Sequence, residues 1–321
     1  MLAPLLLGVD AIVPWFARHR TEWSRVIDER VNATAATTPS PKVLFVGGSN
    51  VPFGINPRSL SAKIKAPVVA YGISAGVGLD LIVARVESMV APGDIVVLMP
   101  ELAHFRSSEA TDPVSRGDWI RLYGDGRGDP VARFPRRQWI AARERCRMLV
   151  TDAEQALSQA LIAARQRNRG WTPSNGPTSA YDVRCIDRDG CVEFPLPGPA
   201  SVIDWTPPAL ATDAQWDRTL GAVAVRDLAR VCRERGARPF FLPGVRAGER
   251  PTHAAGVQRL VACEERVMRY AEAFGFERLV PPGSSLLVGL YAFDTPNHLN
   301  DAGVALLEDR LVPALTANLS K

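Results

Sequence analysis

Between residues 42 and 101, three unbroken apolar runs alternate with two segments of helical period. The runs are "KVLFVGG", "APVVAYGIS" and "DIVVLMPE". Between them lie "PRSLSAKI", with Pro57 at its first turn, and "GLDLIVARVESMV", ended by "APGD". A strand that is apolar at nearly every position has no polar face to give to water. Both faces must be covered, and helices between successive parallel strands cover them. The alternation returns after residue 211. A helix is predicted over about 213–235, a fourth strand in "ARPFFLPG", a helix over about 253–274, a fifth strand in "FERLVPP" and a last helix in "DAGVALLEDRLVPALTANL" with Asp301 as its N-cap. The expected fold class is α/β, a three-layer α/β/α sandwich with a parallel sheet of about five strands.

Residues 106–211 interrupt this pattern. They hold a long helical stretch, "RRQWIAARERCRMLVTDAEQALSQALIAARQRNRG". A run rich in Pro, Gly and Ser follows, with a hairpin expected across Asp187–Gly190. Because the alternation resumes afterwards, this span reads as an insertion in one sheet domain, which is then made of 41–105 and 212–321. The remaining segment, 1–40, opens with "MLAPLLLGVDAIVPWFARHR", an apolar run broken by Pro4, Asp10 and Pro14. It lacks the positive start of a signal peptide and is short for a membrane span. It reads either as a helix packed on the domain or as the end of a membrane anchor.

A formal net charge of +4 is too mild to argue for nucleic acid, and no nucleic-acid-binding signature is present. No His/Cys/carboxylate spacing marks a metal site, and no Walker loop or GxGxxG stands after the first strand. Of five cysteines, Cys185 and Cys191 flank "IDRDG" and would suit a hairpin disulfide in an oxidising compartment. The odd count and the scatter of the other three fit buried thiols.

In a parallel α/β sheet, sites form outside the carboxyl ends of the strands. Three polar features fall there: Ser49 after "VGG"; "YGISAGVG" with Gly72; and "YAFDTPNHLNDAG" with Asp294 and His298. Serine, histidine and aspartate are the ingredients of acyl transfer through an acyl-serine, which needs no cofactor. A serine after two glycines is, taken alone, an ordinary turn residue, and a loop histidine is an ordinary surface residue. Their joint placement at strand ends of one sheet gives them weight. His104, in "PELAHF", lies on the same edge and reads as a core or rim residue or as a substrate contact.

The ordered set "GGSN", Gly72 and "DTPNH" resembles the SGNH (GDSL-like) hydrolase superfamily, whose fold is flavodoxin-like. The wider wording of "FVGGSNVPFGI", "PGDIVVLMPELAHF" and "FDTPNHLNDAG" is similar to a bacterial branch. Its members are associated with membrane-bound O-acyltransferases in surface-polysaccharide modification. The resemblance covers about residues 42–106 and 213–316. It implies Ser49 as nucleophile, Asp294 and His298 as the Asp/His pair, and Gly72 as an oxyanion glycine. It also implies an acylated polysaccharide or acyl donor as partner and an extracytoplasmic, periplasmic location. The superfamily's strand-three Asn is missing: Pro100-Glu101 stands in its place, and a carboxylate cannot donate unless protonated. The oxyanion hole is then expected to rest on the N–H groups of Ser49 and Gly72 and on the Asn50 side chain. The insertion leaves the sheet just after the third strand. With Arg116, Arg136, Arg137 and neighbouring arginines among Trp119, Tyr123, Trp139, Trp171 and Tyr181, it is expected to wall the cleft and touch glycan or partner.

Overall fold

A computed structural model describes residues 23–75, 78–106, 180–198, 209–248 and 254–320. Its centre is a five-stranded, all-parallel sheet of β1 (Val43–Gly47), β2 (Val68–Gly72), β3 (Ile95–Met99), β4 (Arg238–Phe241) and β6 (Glu277–Arg278), in the order β2-β1-β3-β4-β6. Two short strands, β5 (Arg246–Gly248) and β7 (Leu286–Val288), pair in parallel beside it. The longer helices among the described residues are α1 (23–37), α2 (Pro57–Ile64), α3 (Leu79–Val86), α4 (Leu220–Arg235), α5 (Ala254–Glu272) and α6 (Asp301–Leu319).

The period-two alternation of the strands sorts the core into two layers. Leu44, Val46, Val69, Tyr71, Val96, Leu98 and Phe241 face one side and pack against α1, α3, α4 and α5. Val43, Phe45, Ala70, Ile95, Val97, Met99 and Phe240 face the other and pack against α2 and α6. The described part is thus a three-layer α/β/α sandwich, as the alternation implied. β1 has β2 on one side and β3 on the other, so the chain reverses its winding direction there. In doubly wound sheets that switch point opens a crevice at the strands' carboxyl ends.

From residue 23 onward the N-terminal segment is part of this core. Ile27 and Val31 are fully buried, and Asp28 accepts hydrogen bonds from Tyr71 Oη at 2.6 Å and from Arg85. Residues 1–22, where the anchor reading falls, lie outside the described residues. So do 107–179 and 199–208, which hold the long helical stretch and the arginines and tryptophans assigned to the cleft wall. Among the described residues no helix is long and apolar enough to cross a membrane.

The hairpin across Asp187–Gly190 forms, closed by the antiparallel bridge Ile186–Val192. The disulfide does not: Cys185 and Cys191 both remain thiols. Glu193 N–H donates to the Cys185 carbonyl and Asp187 N–H to the Cys191 carbonyl, so the two cysteines are diagonal across the ribbon. Diagonal residues in an antiparallel pair stand about 7–8 Å apart, outside the usual Cα range for a disulfide, about 4.4–6.8 Å. At α6 the N-cap is Asn300, one residue before the expected Asp301: its Oδ1 accepts from Gly303 N–H at 2.9 Å.

Candidate active site

β1 ends at Gly47, and the chain turns at once. Val51 N–H donates to the Gly48 carbonyl, Phe53 N–H to Ser49 and Ile55 N–H to Val51, a helical curl that leaves Ser49 half-buried at the sheet edge. The glycines make room for it. A Cβ on Gly47 would stand 2.3 Å from the Met99 carbonyl oxygen, and one on Gly72 would stand 2.4 Å from the Gly48 carbonyl oxygen and 2.5 Å from Val51 Cβ. Gly72 is buried below the turn, where its lack of a side chain leaves room for the curl.

The second half of the site comes from the loop before α6. A bridge between Ala292 and Leu299 closes the loop, Phe293 N–H donates to the His298 carbonyl, and Leu299 N–H donates to the Phe53 carbonyl. The last bond ties the loop to the curl that carries Ser49. His298 Nε2 lies 2.9 Å from Ser49 Oγ, and His298 Nδ1 lies 2.7 Å from Asp294 Oδ1. The structure therefore brings Ser49, at the end of the first strand, together with Asp294 and His298 from the loop before the last helix. The imidazole is buried, with its side chain 7% exposed, and Phe53 stacks on it at 4.3 Å. Burial alone would raise the Asp294 carboxyl. Hydrogen bonds from His298 and Tyr181 outweigh it and hold the group below its ordinary value, so Asp294 stays charged through the neutral range.

The expected oxyanion and substrate residues fall differently. Asn50 is fully buried; its Nδ2 donates to the Met99 carbonyl at 3.1 Å, which pins the curl to the end of β3 and takes the amide away from any open cleft. His104 is also buried. Its Nδ1 accepts from Glu101 N–H at 3.2 Å, so it braces the turn after β3. Glu101 lies just beneath the curl, where a Cβ on Gly48 would come within 2.9 Å of Glu101 Oε1. Its Oε2 accepts from Asn297 Nδ2 at 3.1 Å, while Oε1, like Asn50 Oδ1, has no hydrogen-bond partner among the described residues. Ser49 N–H has none either among the described residues, which leaves it as the donor free to meet a developing oxyanion.

Three neighbours were missed as site residues. Phe53 backs the imidazole, Asn297 bridges to Glu101, and Tyr181 donates its phenol proton to Asp294 Oδ2 at 2.6 Å. Phe53 reads in the sequence as one more core residue. Tyr181 was assigned to sugar contacts, and its bond to Asp294 spans 113 residues, beyond any local pattern. No group of His, Cys, Asp or Glu that could hold a metal ion occurs among the described residues. Comparisons with family models, with curated proteins and with solved structures returned no match.

Proposed function

We propose that the protein moves or removes acyl groups, acetyl above all, on a bacterial surface polysaccharide through an acyl-serine intermediate. The observation that carries this reading is the continuous chain from Ser49 Oγ through both nitrogens of His298 to Asp294, at the switch point of the sheet. Ser49 Oγ attacks the ester carbonyl carbon and passes its proton to His298 Nε2. Asp294 stabilises the imidazolium, and the proton then goes to the leaving alcohol as the C–O bond breaks. Water or a sugar hydroxyl, activated by the same nitrogen, attacks the acyl-serine and regenerates Ser49. The glycan and the extracytoplasmic setting rest on the motif resemblance.

A second reading, a non-catalytic glycan-binding or docking partner of a membrane O-acyltransferase, is favoured by one observation. The position past β3 holds Glu101 in place of a side-chain donor, and losing one oxyanion donor typically costs about 10²–10³ in rate. An activated acetyl ester separates the two. Under the catalytic reading, p-nitrophenyl acetate gives a burst of nitrophenolate and an acetylated Ser49 peptide, and added oligosaccharide either accepts the acetyl group or does not. Absence of both burst and acetyl-serine would leave the binding reading.

A further inference from the structure

Among the described residues, Tyr181 is the one site residue that comes from the insertion, and its geometry constrains the imidazole. Its Oη lies 2.6 Å from Asp294 Oδ2 and 3.0 Å from His298 Nδ1, while Nδ1 lies 2.7 Å from Asp294 Oδ1. A phenol has one proton, and here it goes to the carboxylate. The phenol therefore turns lone pairs toward Nδ1, and two lone pairs facing each other at that distance repel. Nδ1 must carry the hydrogen. A neutral imidazole has a single N–H, so Nε2 is bare and its lone pair faces Ser49 Oγ.

We infer that Tyr181 is a positioning residue that locks His298 in the Nδ1–H tautomer, the form able to take the Ser49 proton, and so makes residues 180–198 of the insertion part of the active site. The inference deepens the acyl-transfer reading and rests on it for its catalytic consequence. Asp294 alone is a weaker lock: its side chain is one-third exposed, and water could draw the carboxylate off. Tyr181 holds Oδ2 so that Oδ1 stays on Nδ1. Burial, and then the hydrogen bond to Asp294, push the phenol well above its usual range, so it remains a donor. The segment is held from several sides. The Tyr181 ring packs on Phe53 at 5.3 Å and Trp23 at 5.8 Å, and Trp23 Nε1 donates to the Ala180 carbonyl at 3.3 Å. Arg30 donates to the Ile186 and Asp187 carbonyls, and Arg58 binds Asp189 at 3.0 Å and Glu193 at 2.8 Å.

The test is Tyr181→Phe, which keeps the ring and removes the hydroxyl. Two readouts apply: the ¹⁵N shifts of the His298 ring, and the pH profile of Ser49 labelling by a fluorophosphonate. In wild type the neutral imidazole should be Nδ1–H. In the variant the tautomers should mix, and labelling should slow about tenfold, the worth of one hydrogen bond to a charged group. Without the phenol the Asp294 carboxyl loses one of the hydrogen bonds that hold it low and rises toward its ordinary value, so the acid limb of the profile should move to higher pH. A wild-type imidazole found as Nε2–H would overturn the inference without any variant. So would a folded Tyr181→Phe protein with unchanged tautomer, rate and profile, even if wild type labels well. An Nδ1–H wild type whose tautomers mix in the variant, with no labelling of either protein, would uphold the tautomer lock and sink the acyl-transfer reading instead.

Discussion

Ser49→Ala should lower hydrolysis of an activated acetyl ester by about 10⁴-fold or more while leaving the thermal midpoint within a few degrees of wild type. The loss is large because the hydroxyl is the atom that forms the acyl bond; without it His298 can only activate water, with no covalent step to divide the barrier. The fold should survive because Ser49 is half-buried, and the one side-chain hydrogen bond it makes among the described residues is to His298. His298→Ala should fall by a similar factor, and the double variant should be little worse than either single one, since the two residues act as a unit. Steady-state rates on the three purified proteins check this. Independent, multiplying losses would mean that Ser49 and His298 do not work together.

Gly72→Ala should destabilise the protein by about 3 kcal/mol or more and abolish Ser49 reactivity with it. The added methyl would meet the Gly48 carbonyl oxygen at 2.4 Å, Val51 Cβ at 2.5 Å and Pro52 Cδ at 2.7 Å. Two of these are backbone or proline ring, and none is the free end of a flexible side chain. Relief therefore requires the whole curl from Gly48 to Gly54 to lift off β2, and that curl carries Ser49 and Phe53. Urea unfolding gives the stability and ester hydrolysis gives the site. A variant as stable and as active as wild type would show that the curl does not sit on Gly72.

Much of the sheet was legible because β1, β2 and β3 are apolar at every position and are separated by helices of ordinary length. The small parallel pair β5 and β7 was not legible: three residues each show no period that a window can detect. At α6 two adjacent residues can both cap. Asn300 takes the position because its amide also donates to the Leu290 and Ala292 carbonyls, tying the helix start to the loop that holds His298. The disulfide expectation came from spacing alone, whereas pairing register decides it. At the site, Ser49, Asp294 and His298 each mark a strand end or loop in the sequence. Tyr181 and Phe53 carry no such mark, because what places them beside His298 is the docking of segments distant in the chain. Asn50 and Gly72 were assigned as donors from their neighbourhood, and only the packing shows that one is sealed under the curl and the other makes room for it.

The central claim is that Ser49 is made nucleophilic by His298. Mass spectrometry after treatment with an activated fluorophosphonate tests it most directly, because the reagent reports nucleophile activation and needs no knowledge of the natural substrate. The account predicts one adduct per chain, on the peptide containing Ser49, and its loss in His298→Ala with the fold retained. No adduct on wild-type protein, an adduct on another residue, or equal labelling of Ser49 with and without the imidazole would contradict it.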